Sequence, residues 1–280
     1  MTESTKLPCR LCGSDAFAIF KKRALGRYDV GYYRCTGCNS MQTELPYWLD
    51  EAYAIPGVHI DVGCAARTIK NWLGLTTLLE RIAFPLDAEA LDYGAATGLL
   101  GRMMRDVGYN FRSYDKFARP SFTSYYNVVN PADTQPRLIT AFEVFEHLPF
   151  PRQELSNVFS MGASLIPFTT WFCDGQGEDW IYFVPECGQH VFFYSEDAMR
   201  WIAERHGYTL MSSSFFHLLV DRKAFTPQQF ETILEFCYYG PGWAQERAAS
   251  LVNSVIWSNE FIDGDFNQAR LLFEAERAGS

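Results

Sequence analysis

The chain has 280 residues, enough for one large domain and a small accessory one, and it is 48% hydrophobic and 20% charged, the composition of an ordered globular protein. Its net charge of −9 argues against non-specific affinity for nucleic acid. No apolar run is long enough to span a bilayer and the start, MTESTKLPCRLCG, lacks the basic and apolar regions of a signal peptide, so the expected location is cytoplasmic with no membrane partner.

Residues 7–43 read as short, turn-rich β structure. Cys-containing turns flank FAIF and YDVGYYRC, whose aromatic and β-branched residues favour strands. Cys9-x-x-Cys12 and Cys35-x-x-Cys38, separated by 22 residues, have the spacing of two knuckles that deliver four thiolates to one tetrahedral zinc. Gly13 and Asn39, each just after the second Cys of its pair, are residue types that take positive φ cheaply. Four sulfur ligands leave no position for water, so the ion would be structural. The expected first domain is a zinc ribbon over residues 1–45. Cys64, Cys173, Cys187 and Cys237 are isolated and read as small buried hydrophobes.

A bridging helical segment is expected over 46–84, entered between Pro46 and Pro56. Within 66–83, ARTIKNWLGLTTLLERIA, the residues Ile69, Trp72, Leu73, Thr76, Leu79 and Ile82 fall on one helical face. EALDYGAATG is a short apolar run entering a Gly-rich turn, and LLGRMMRDVG is helical up to Gly108. NFRSYD is a strand ending in an acid, a weaker strand lies near YNVV, and RLITAFEVFEHL is a strand running into a loop. PRQELSNVFSMG reads as helix and SLIPFTTWFCDG as extended. Strands alternating with helices imply a parallel sheet covered on both faces. SEDAMRWIAERHG is a helix between the N-cap Ser195 and the stop Gly207, and YTLMSSSFFHLLVDR holds two strands so close that only antiparallel pairing is open to them. This α/β domain is assigned to 85–225. The tail, 226–280, is expected to be helical and broken at Pro241-Gly242.

The segment from Asp92 to Gly98 lies where a strand meets a helix, at the carboxyl edge at which open α/β sheets bind ligands. Gly94 and Gly98 permit a tight turn and close approach, and Asp115, ending the next strand, is placed to accept hydrogen bonds from two ribose hydroxyls. NAD and S-adenosylmethionine both carry that ribose.

These residues resemble the class I methyltransferases, in particular the subgroup with an N-terminal zinc-binding domain found among sugar- and polysaccharide-modifying enzymes. LDYGAATG is similar to the family's first motif, with Ala96 where a middle Gly is frequent, a change expected to cost little. SYDKF resembles the second motif and AFEVFEHLPFP (141–151) the family's fourth-strand segment. GQHVFFYSEDAMRWIAERHGYTL resembles the segment before the sixth strand, and WLDEAYAIPGVHIDVGCAARTIKNW the bridge from ribbon to catalytic domain. The resemblance implies a Rossmann-like class I sheet with an antiparallel last strand behind a small zinc ribbon. It also implies S-adenosylmethionine as cofactor and a small-molecule acceptor, with a sugar or nucleotide-linked sugar of surface polysaccharide biosynthesis as first choice.

Position by position, Gly94, Ala95 and Gly98 would approach the methionine part of the cofactor and Asp115 its ribose. Asp92 would orient the loop or receive the ammonium group, and Phe142 and Glu143 would border the site. The adenine clamp falls among Asn130, Pro131 and Asp133. Methyl transfer needs a nucleophile in line and a group to take its proton. His147, after the fourth strand, is the first candidate base and His190 the second, and Glu146 either holds His147 in its tautomer or faces water. WIYFV (180–184), Trp171 and Phe172 read either as an acceptor pocket or as core, and His59, His206 and His217 as surface or packing residues. Two other classes fit less of the sequence. An NAD-dependent oxidoreductase lacks any Tyr-x-x-x-Lys pair, and a non-catalytic zinc-ribbon module would not need Asp92, Gly94, Gly98, Asp115 and Glu143 together.

Overall fold

The computed structural model describes residues 6–54, 61–258 and 260–278. In chain order the elements begin with strands β1 (Lys6–Pro8), β2 (Asp15–Ala24), β3 (Tyr28–Cys35) and β4 (Met41–Thr43), then helices α1 (Leu49–Ala54) and α2 (Cys64–Arg81). There follow β5 (Ala90–Tyr93), α3 (Leu99–Asp106), β6 (Phe111–Tyr114), β7 (Leu138–Phe142), α4 (Pro151–Ser160) and β8 (Leu165–Thr169). The last elements are β9 (Phe192–Phe193), α5 (Glu196–Arg205), β10 (Thr209–Ser212), β11 (His217–Val220), α6 (Pro227–Trp257) and α7 (Glu260–Ala278). Among the described residues no helix is long and apolar enough to cross a membrane.

These elements form two compact units. The first draws on Met1–Cys64, Phe142–Ser160 and Phe168–Leu210, and the second on Ala65–Ala141, Met161–Pro167 and Met211–Ser280. Both cut across the ranges expected from sequence: the ribbon shares its unit with distant segments, and α2 shares its unit with the parallel sheet.

In the first unit an antiparallel sheet runs in the order β1-β2-β3-β4-β9. The last strand comes from 150 residues further along, pairing Met41 with Phe193 and Gln42 with Phe192. Val30, Tyr32, Met41, Trp48, Phe183 and Phe193 make its core, with ring centroids 5.0 Å apart for Tyr32–Phe183 and 4.9 Å for Phe183–Phe193. The stretch 180–184 is therefore mainly core: Tyr182 and Phe183 are buried, while Trp171 is half exposed and stacked on Tyr182. Ser195 caps α5 as expected by accepting from the Ala198 amide at 3.0 Å, and its hydroxyl donates to the Cys38 carbonyl at 2.6 Å, so one side chain fixes a helix and a knuckle.

The sheet of the second unit has the order β10-β11-β8-β7-β5-β6, with the last residues of β7 and β8 and the first two of β10 outside that unit. β5 is parallel to both β6 and β7, and four residues join β10 to β11, which leaves only antiparallel pairing. Two expectations are corrected here. No strand forms at YNVV: a 3-10 turn covers Ser124–Tyr126, and Asn127 makes a single parallel bridge to Ser113. Its side chain instead donates to the Pro120 carbonyl and accepts from Thr123, and Asn130-Pro131 ends the extended run. Nor does Pro241 break the tail. α6 passes through it, because Ile233, Phe236, Gly240, Ala244 and Leu251 are buried along one face, and that burial outweighs the roughly 3 kcal/mol that an interior proline costs.

Candidate functional site

The four N-terminal sulfurs converge. All lie within 4.8 Å of one another, with Cys9 Sγ–Cys38 Sγ at 3.7 Å and Cys12 Sγ–Cys35 Sγ at 3.3 Å; thiolates on a tetrahedral zinc, at about 2.3 Å each, sit about 3.8 Å apart. Gly13 and Asn39 take the positive φ that the knuckles require, 86° and 58°. The Gly37 and Cys38 amides donate to Cys35 Sγ at 3.3 and 3.4 Å. Burial pushes the Cys35 thiol up to about 11, so an ionised set of four needs a cation among them. The donor set therefore fits zinc. Of the isolated cysteines only Cys173 is buried; Cys64, Cys187 and Cys237 are half-buried.

The Gly-rich turn follows β5 in the second unit. Gly94 and Gly98 have φ of 76° and 79°, and a Cβ on Gly98 would meet Thr123 Oγ1 at 2.5 Å and Pro120 Cβ at 3.0 Å, so this position accepts only glycine. Ala96 is also left-handed, at φ 47°, which overturns the expectation that it replaces a glycine at little cost: its Cβ adds about 1 kcal/mol of strain. Its amide is held by Asp115 Oδ2 at 2.8 Å, while Asp115 Oδ1 accepts from Phe117 and Ala118 at 2.8 and 2.7 Å. Three of about four acceptor positions on this carboxylate are thus occupied, which leaves room for one further donor, not two. The Gly94 and Ala95 amides donate to the Tyr114 carbonyl.

Asp92 is buried beneath the turn and accepts from the Thr140 hydroxyl at 2.8 Å. Burial, with a smaller contribution from Asp115, pushes its carboxyl up to about 7. Thr140 carries no motif signal. Asn130 Oδ1 accepts from the Ala132 amide and its Nδ2 donates to Asp133, so Asn130, Pro131 and Asp133 form one self-bonded exposed turn.

In the first unit β7 ends at Phe142, and Glu143 turns the chain with φ 54° into a 3-10 turn over Phe145–His147. A charged residue in this left-handed conformation is a local strain of about 1–3 kcal/mol, of the kind that collects at functional sites. Phe145 anchors the turn, packing at 5.0 Å from Phe168, with the Tyr194 hydroxyl on its carbonyl at 3.1 Å. Pairing of β9 with β4 brings the preceding His190 to the same place: the His147 and His190 rings lie 4.9 Å apart, edge to face. Tyr53 Oη is 3.3 Å from His147 Nδ1, His147 Nε2 is 3.8 Å from Glu146 Oε1, and His190 Nδ1 donates to the Tyr182 carbonyl at 2.6 Å. Burial, then the neighbouring His190, holds His147 well below the usual imidazole range, so it is neutral. Glu143 accepts from the Tyr182 hydroxyl at 3.3 Å. Tyr53 and Tyr182 are partners that spacing could not announce, since one comes from α1 and the other from a 3-10 turn over Ile181–Phe183. His206 stacks on Phe159 at 4.5 Å and His217 bonds Ser212 at 2.8 Å, both packing roles; His59 lies outside the described residues.

The fold is similar to that of magnesium protoporphyrin IX methyltransferase from Synechocystis with bound SAH, at 10% identity and a TM-score of 0.43 over 63% of this chain and 94% of that one. It is also similar to 1,6-didemethyltoxoflavin-N1-methyltransferase from Burkholderia thailandensis, at 11% identity and a TM-score of 0.46 over 72% and 97%. No curated protein matches the sequence. A model described as a methyltransferase domain matches residues 70–213, just over half of the chain and from α2 to the end of β10, and on that match the chain belongs to the methyltransferase-domain family.

Proposed function

We propose that the protein transfers the methyl group of S-adenosylmethionine to a small-molecule acceptor, a sugar or nucleotide-linked sugar of surface polysaccharide biosynthesis, in the cytoplasm. The observation that carries this reading is the left-handed turn at Gly94–Gly98 between buried Asp92 and the half-buried Asp115, within a chain of the methyltransferase-domain family. Asp92 would meet the ammonium group of the cofactor, Gly94, Ala95 and Gly98 its methionine part, and Asp115 one ribose hydroxyl. Phe142 and Glu143 would border the site. The cofactor brings its own electrophile, a methyl on a sulfonium, so the chain has to align the acceptor and handle its proton. We assign the second task to His147 and His190, whose rings pack together beside Glu146. The ribbon would carry one structural zinc on Cys9, Cys12, Cys35 and Cys38. The saccharide class rests on the resemblance of the 48–72 bridge to polysaccharide-associated relatives. Equilibrium dialysis with labelled S-adenosylmethionine and NAD tests the reading: binding of the first and not the second is expected, binding of NAD alone favours an oxidoreductase, and binding of neither leaves a non-catalytic module.

A further inference from the structure

Glu146 is a fully buried acid that the site described above leaves without a cation. It has no hydrogen bond of good geometry to either carboxylate oxygen, and the Tyr182 and Thr170 hydroxyls face it. The charge acting on it is that of a second carboxylate, Glu143. A carboxylate left so costs several kcal/mol when ionised, and a fold keeps one readily only where a cation completes the site.

The neighbours of Glu146 are suited to that. One donor atom from each of Glu146, His147 and His190 lies within 4.8 Å of the other two. Ligands bound at about 2.1 Å sit roughly 3.0–3.4 Å apart, so side-chain movements of about 1 Å would close the set. His190 is braced at Nδ1 by the Tyr182 carbonyl, His147 faces the Tyr53 hydroxyl through Nδ1, and His147 Nε2 lies 3.8 Å from Glu146 Oε1. Bracing of the second nitrogen is how metal-binding histidines are oriented.

We infer that Glu146, His147 and His190 form a site for one divalent first-row transition cation, separate from the cysteine site and with open coordination positions. Two imidazoles and one carboxylate suit manganese, iron, cobalt or zinc, whereas the thiolate set selects zinc. Three protein ligands are what sites acting on a substrate supply; closed structural sites have four. The chemical role, unlike the binding, rests on the methyltransferase reading. An acceptor hydroxyl taken up at the open positions gives its proton to water more readily. The resulting oxygen forms the new bond to the methyl carbon as the carbon–sulfur bond breaks, its electron pair staying on sulfur. The proton goes to water, and the histidines act as ligands, not as bases.

The test is Mn²⁺ titrated into protein that carries zinc on its cysteines, with free Mn²⁺ read by electron paramagnetic resonance. One Mn²⁺ per chain is expected, weakened about 10- to 100-fold in Glu146→Gln, His147→Gln and His190→Ala. Any of these that melts like the wild type serves for the comparison. Should none do so, Mn²⁺ added to wild-type protein with labelled histidine should broaden two of the five imidazole signals first, those of His147 and His190. No Mn²⁺ uptake by the wild type, unchanged affinity in a well-folded variant, or broadening elsewhere overturns the site. Cofactor dialysis on the same wild-type sample separates this failure from that of the methyltransferase reading, since Mn²⁺ binding is scored without cofactor.

Discussion

Asp92→Asn isolates the effect of the carboxylate buried beside the Gly94–Gly98 turn. The folded protein holds this group at about 7, against an ordinary 3.8, with burial as the largest cause. A raised carboxyl binds its proton more tightly in the folded than in the unfolded chain. Its contribution is therefore fully present below the unfolded value and is lost as pH rises through about 7. The gap corresponds to at most about 4 kcal/mol. Asparagine keeps an oxygen for the Thr140 hydroxyl but cannot ionise. Relative to wild type, the cofactor-free variant should thus gain stability between pH 5 and pH 8, by about 2–4 kcal/mol, or roughly 5–10 °C in Tm for a chain of this size. Thermal melts of both proteins across that range measure it. The cofactor should show the opposite dependence: wild-type affinity for S-adenosylmethionine rises from about pH 6 to pH 8 as Asp92 becomes anionic, and Asp92→Asn removes that rise. A difference in Tm that does not change with pH would mean that water or another donor solvates the carboxylate, and would refute the argument.

Cys35→Ser should remove the single zinc, measured by metal analysis, and lower Tm, while cofactor affinity holds because the Gly-rich turn belongs to the other unit. Asp115→Ala should weaken cofactor binding by about 1.5–3 kcal/mol in calorimetry, and it should also speed amide exchange at Ala96, whose N–H the carboxylate now holds. Ala96→Gly should stabilise the protein by up to about 0.5 kcal/mol in denaturant unfolding, since relief of the left-handed strain slightly exceeds the added chain entropy; a loss would show that the methyl group packs usefully.

Much of the site was legible because its chemistry is local. The knuckles, the Gly94–Gly98 turn, the Ser195 cap and the end of β7 are each set by residues within a few positions of one another, where φ preferences and capping act. What sequence misjudged depends on distant partners or on the competition between them. YNVV has strand-forming residues, yet Asn127 satisfies itself on Pro120 and Thr123. Pro241 is a strong breaker in isolation and is overruled by burial of the α6 face. The loss of backbone freedom at Ala96 and Glu143 is visible only once the turns are closed. His147 and His190 could be singled out one by one as candidate bases, but their meeting with Glu146 and Tyr53 follows from strand pairing across the chain, which no spacing records.

That pairing also sets an order on biosynthesis. The edge of β4 is completed by Phe192–Phe193, so a ribosome that has made the ribbon must add about 150 more residues before its last strand exists. At about 5–20 residues per second that interval is roughly 8–30 s. Throughout it the nascent ribbon presents an unpaired strand edge, and Met41 lacks the phenylalanine that covers it in the finished sheet. Early capture of a metal by the cysteines would hold the knuckles during this delay but leave the edge open. The chain's exposure to mispairing is therefore greatest in mid-synthesis, and premature termination before residue 192 should yield a ribbon that associates with other copies through β4.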